Sequence, residues 1–207
     1  YLYNWGHYTQ LVEMWRKLLG RLADPHFRAN NLHSLGRAYH NLGQVERAID
    51  LFDMALAIAR ETDDRRGECI QLSHLGRAYR YLRQIKQAIG HCEKALTIAR
   101  EIGDLHLQIH QLDQLAHSYR LTGQIEQATQ FYQESKIIAS RLEDSEAEDI
   151  AIGSLGLVYH NLGQMEQAVE SYEQALNIAH RIGNRKRVSA WLNNLGLTYR
   201  ALGKIKR

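Results

Sequence analysis

The sequence predicts an all-α fold, a solenoid of antiparallel helix pairs stacked on copies of themselves. Three observations predict it. Leu35, Leu75, Leu115, Leu155 and Leu195 recur at a spacing of 40 residues, as do Tyr39, Tyr79, Tyr119, Tyr159 and Tyr199. Small residues keep step with them: Gly36, Gly76, Ala116, Gly156 and Gly196 in one column, Ala48, Ala88, Ala128 and Ala168 in another. Pro25 is the single proline in 207 residues, so little interrupts long helices. A period of this length marks one supersecondary unit that buries its apolar face against its neighbours.

Each unit reads as two helices. Helix A begins at Asp24, Asp64, Asp104, Asp144 and Asn184, whose side chains suit the N-cap position. Pro25 follows its cap, where a missing N–H costs nothing. Leu72, Leu75, Gly76 and Tyr79 then form an apolar stripe at i, i+3, i+4, i+7. The helix ends near Gly43, Gly123, Gly163 and Gly203, with Arg83 at the same place in the second unit. Glycine closes a helix in the left-handed conformation at low cost, so a strained turn is expected at Arg83. Helix B buries Ala48, Phe52, Ala55, Ile58 and Ala59 in the first unit. Cys92 shares the column of Phe52, Tyr132 and Tyr172, which makes it core filler.

The expected organisation is therefore a capping or linker helix over 1–23, then repeats at 24–63, 64–103, 104–143 and 144–183. A fifth, at 184–207, has helix A only. The aromatics Tyr1, Tyr3, Trp5 and Tyr8 suit either an end cap or an interface with another domain. The ending Lys204-Ile205-Lys206-Arg207 matches the first turn of a helix B, as in a piece of a longer repeat protein.

Composition narrows the class. The chain is 44% hydrophobic and 24% charged with a net charge of +3, which is globular and not disordered. No apolar run reaches membrane-spanning length, and no signal peptide or N-glycosylation sequon stands out. Cys69 and Cys92 lack CxxC partners and read as reduced thiols of a cytoplasmic protein.

The columns resemble the tetratricopeptide repeat family. Leu155-Gly156-Leu157-Val158-Tyr159 in helix A and Ala168, Tyr172 and Ala175 in helix B carry the likeness. The 40-residue period and the segment Ala95–Glu101 are similar to the longer subclass of polarity adaptors, kinesin light chains and repeat sensors of bacterial signalling ATPases. The resemblance implies a right-handed superhelical solenoid whose A helices line a concave face. It also implies a missing ATPase or effector domain as a partner within a longer polypeptide.

On that face, four columns become candidate groove residues. They run His33, Ser73, Asp113, Gly153, Asn193, then Arg37, Arg77, His117, Leu157, Leu197. The others run His40, Arg80, Arg120, His160, Arg200, then Asn41, Tyr81, Leu121, Asn161, Ala201. Guanidinium forks suit carboxylates, and Asn or Ser suits an extended peptide backbone. The expected function is protein–protein recognition of an acidic peptide or protein segment. The polar members of these columns are the expected contacts.

Other chemistry finds little footing. No Walker A, GxGxxG, HExxH or GxSxG pattern is present, so neither an enzyme nor a cofactor is expected. His106 and His110 stand at i, i+4 with His117 further along the stripe, but no thiol or carboxylate is aimed with them, and no metal is expected. Asp113, Leu157 and Leu197 interrupt the basic columns, which argues against nucleic acid. The alternative class is a self-assembling scaffold. Leu192, Leu195 and Tyr199 lack a helix B partner, so a homo-oligomer through the last helix would cover an exposed stripe.

Overall fold

The computed structural model describes Gln10 and residues 24–203. Those residues form nine helices and no strand: α1 (Pro25–Asn41), α2 (Val45–Glu61), α3 (Arg65–Tyr81), α4 (Ile85–Glu101), α5 (Leu105–Leu121), α6 (Ile125–Arg141), α7 (Ser145–Asn161), α8 (Met165–Arg181) and α9 (Arg185–Ala201). Odd-numbered helices are the A helices and even-numbered ones the B helices. The helix expected within 1–23, apart from Gln10, and the ending 204–207 lie outside the described residues.

The caps fall where the aspartates recur. Asp64 Oδ1 accepts from Gly67 N at 2.8 Å, Asp104 Oδ1 from Leu107 N at 3.0 Å and Asp144 Oδ1 from Ala147 N at 3.0 Å. Asp24 and Asn184 do the same for α1 and α9. Gln44, Gln84, Gln124 and Gln164 precede the B helices and make no side-chain cap bond. Their turns are fixed from behind instead: Gln44 N donates to Tyr39 O at 2.9 Å around Gly43, which has φ 75°. Arg83 takes the same place with φ 63° and the same closing bond, Gln84 N to Tyr79 O at 2.9 Å. The B-to-A turns use Gly103 and Gly183, but also Asp63 and Glu143, both at φ 54°.

The chain divides into two compact units at Leu107 and Gln108, within α5, where the repeat alone suggests one continuous array. In the first unit α1 packs on α2, α2 on α3 and α3 on α4. Its core holds Leu35, Phe52, Cys69, Leu72, Leu75 and Ala99. Ile58, expected in this buried set, is only half-buried, and Leu56 is buried instead. In the second unit α6 packs on α7, α7 on α8, and α8 and α7 on α9. Tyr172, Ala175, Trp191 and Leu195 form one cluster there, and Ala116, Tyr132, Leu155 and Val158 another. Each large apolar side chain so buried contributes about 1.5–3 kcal/mol.

The small-residue column is explained by close approach. A Cβ at Gly36 would stand 2.7 Å from the Phe52 ring, at Gly76 2.4 Å from Cys92 Sγ, and at Gly156 2.8 Å from the Tyr172 ring. Cys69 and Cys92 are free and buried, and burial pushes their thiols up to about 11 and about 12, so neither is a ready thiolate. Among the described residues, no helix is long and apolar enough to cross a membrane.

Candidate ligand-binding face

In the first unit the basic columns meet between α1 and α3. Their centre is Arg77. Its Nη2 donates to His74 Nδ1 at 3.0 Å, and since a guanidinium only donates, His74 must present an unprotonated Nδ1. The Arg77 Nε–H is buried without a hydrogen-bond partner. Burial lowers the Arg77 pKa first, and the nearby positive charges of Arg37 and Arg80 lower it further. Like charges are thus crowded on one surface, a state that an anion would relieve.

The histidines answer to the same field. His40 is lowered mainly by burial and then by Arg77, with its Nε2 buried and unpaired. Its ring meets Tyr81 edge-on at 5.6 Å. His33 Nδ1 lies 3.1 Å from Gln71 Oε1, and burial again outweighs that bond in lowering its pKa. Around these groups His74 stacks on Phe52 at 5.0 Å and meets His33 edge-on at 4.6 Å. Arg37, Asn41 and Tyr81 are exposed, while Arg80 is half-buried.

The first column behaves differently from the other three. Ser73 is only 5% exposed, and Gly153 lies under the Trp191 ring. Within each unit a residue at this column faces the next A helix, as His33 faces Gln71 and Gly153 faces Trp191. It therefore shapes the floor of the surface more than it offers contacts.

In the second unit Asp113 is partly buried, with one carboxylate oxygen unpaired. Burial pushes its pKa up to about 6, against the opposing influence of Ser135 and Arg187. Arg120 is half-buried and acts on the neighbouring Tyr132 and Tyr172 phenols. His117, Leu157 and His160 are half-buried, while Leu121, Asn161, Asn193, Leu197, Arg200 and Ala201 are exposed. Burial raises the Tyr172 phenol to about 12.

Sequence spacing did not single out His74 or Gln71, and it read Phe52 only as helix B core. His74 precedes Arg77 by three positions, so the helical neighbour rule held the signal. Gln71 needed the register between α1 and α3.

A family model described as tetratricopeptide repeat matches residues 27–101, 67–141 and 146–207. The chain belongs to the tetratricopeptide repeat family. Solved repeat structures superpose on it. BtubC (BKLC) from P. vanneervenii aligns with TM-score 0.81 and 23% identity, over 96% of this chain and 83% of that one. A Podosopora anserina putative kinesin light chain with nearly identical TPR-like repeats gives 0.72 and 24%, over 88% of this chain and 90% of that one. A signal transduction ATPase with numerous domains and a tetratricopeptide repeat sensor, from Pyrococcus horikoshii, gives 0.79 and 24%, over 88% of this chain and 29% of that one. At these identities the likeness is one of fold. No curated protein sequence matches the chain.

Proposed function

We propose that these repeats form a protein–protein interaction module whose A helices bind an acidic peptide or protein segment. It would serve as the sensor or scaffold part of a larger signalling protein. The observation that carries this reading is Arg77, crowded by Arg37 and Arg80 and holding a buried N–H without a partner. A carboxylate supplies negative charge beside Arg37 and Arg77 and an acceptor for Arg77, and exposed Asn41 and Tyr81 stand at the rim for the peptide beside it. The second unit by itself carries Arg120, His160 and Arg200 on its A helices. Membership of the repeat family supports an interaction role, and the Pyrococcus sensor supports a place beside an ATPase or effector.

Fluorescence anisotropy with acidic, neutral and basic peptides of equal length tests the reading. The acidic peptide should bind alone, weaken as salt rises, and lose at least tenfold in affinity to an Arg37→Glu, Arg77→Glu variant. Equal binding of all three peptides, or no effect of the variant, overturns it.

A further inference from the structure

The ring of His74 is held by side chains of two other helices. Phe52, on α2, stacks on it with centroids 5.0 Å apart and an interplanar angle of 20°. Phe52 is itself pinned against α1, where a Cβ at Gly36 would stand 2.7 Å from its ring. His33, on α1, meets His74 edge-on at 4.6 Å, and the 3.1 Å contact with Gln71 fixes His33 in turn. All of these residues lie in the first unit.

The ring so oriented presents an acceptor to Arg77. Its Nδ1 accepts from Arg77 Nη2 at 3.0 Å, three residues along the same helix. No other repeat places a histidine before an arginine at these positions. The His74 column reads Ser34, His74, Gln114, Ser154, Asn194, beside Arg37, Arg77, His117, Leu157, Leu197. Arg37 is preceded by a serine and is exposed, whereas Arg77 is half-buried. A guanidinium that is already held loses less side-chain freedom when it takes a ligand.

We infer that His74 is the positioning residue for acid recognition: its Nδ1 holds the Arg77 guanidinium so that the remaining N–H groups meet a ligand carboxylate. This rests on the reading of the first unit as an acid-binding face, and it adds that the second repeat reads the acid, at Arg77 and not at Arg37. His74 acts through Arg77 and need not touch the ligand. An imidazole that accepts at Nδ1 is neutral, so it adds order to the site and no charge.

The test compares two variants. His74→Phe keeps a ring against Phe52 and removes the acceptor. His74→Asn keeps an acceptor near the place of Nδ1 and removes the ring. A glutamate-rich peptide is titrated by calorimetry at about pH 7.5, where an ordinary histidine is neutral. Rotation of the arginine guanidinium groups is read by nuclear magnetic resonance without ligand. In the unmodified chain Arg77 should rotate more slowly than Arg37. His74→Phe should free that rotation, weaken binding about three- to tenfold, and leave the salt dependence unchanged. His74→Asn should retain more affinity than His74→Phe, the reverse of what a packing role alone would give. Free rotation of Arg77 in the unmodified chain overturns the inference whatever the variants do. Unaltered binding by folded His74→Phe, or weaker binding by His74→Asn than by His74→Phe, overturns it while the acid-binding reading stands. Failure of the unmodified chain to bind the peptide overturns both.

Discussion

Trp191 donates its indole N–H to Asp149 Oδ1 at 2.6 Å, from α9 to α7. Arg187 Nε lies 3.3 Å from the other carboxylate oxygen, so the buried acid is held from two sides by one helix. Burial raises the Asp149 pKa, and the Trp191 bond and Arg187 charge oppose that rise. The ring also occupies the space over Gly153, where a Cβ would come within 2.4 Å of it. Trp191→Phe keeps most of the packing but leaves the acceptor unpaired, at a cost of about 1–3 kcal/mol. Trp191→Phe with Asp149→Leu should recover part of that loss. Thermal melts of the three variants measure it.

The contact between Gly76 and Cys92 makes a second prediction. Gly76→Ala places a methyl 2.4 Å from Cys92 Sγ and 3.2 Å from the Ala88 carbonyl oxygen. Overpacking of this kind costs about 1–3 kcal/mol. Cys92→Ala removes the nearer obstacle, so the double variant should be more stable than the two losses summed. A double-mutant cycle in urea reads the coupling.

Arg83, with φ 63°, occupies a conformation that glycine adopts more cheaply. Arg83→Gly should stabilise the first unit by about 0.5–1 kcal/mol, and Glu143→Gly should act similarly at φ 54°. Denaturant midpoints check both. A loss in either would mean that the side chain contributes more than the strain costs.

Much of this architecture was legible in the sequence, because it rests on local chemistry repeated every 40 residues. The Asp24 column caps helices, Gly43 turns the chain and Gly76 meets Cys92, all within one helix pair. What spans neighbouring A helices was not legible. Trp191 reaches Asp149, and His33 reaches Gln71, through a stacking register that no local spacing encodes. Ser73 is only 5% exposed although helical spacing sets it opposite the core stripe. Glu143 gave no turn signal, since glutamate is not a residue that a left-handed φ favours.

The two units should respond to acid in opposite senses. In the first, burial lowers the pKa of His33, His40 and His91 below 6.5. The unfolded chain then binds protons more readily, so their contribution to stability is full above about pH 6.5 and lost as pH falls toward the lowered values. In the second, Asp113 is raised from 3.8 to about 6. The native state there binds the proton more tightly, so its contribution is full below about pH 4 and lost as pH rises through about 6. Asp113→Asn should therefore stabilise the second unit at pH 7 by about 1–3 kcal/mol and flatten its response below that. Hydrogen exchange at pH 5 and pH 7, corrected for intrinsic rates, reads each unit separately.

The central claim is that Arg77 receives the acidic group of a ligand. Nuclear magnetic resonance of the arginine Nε–Hε groups during titration with a glutamate-rich peptide tests it most directly. A saturable shift of the Arg77 resonance is expected, with Arg37 following, and loss of binding in Arg77→Glu. Saturable binding that leaves the Arg77 resonance unmoved and survives Arg77→Glu would contradict it.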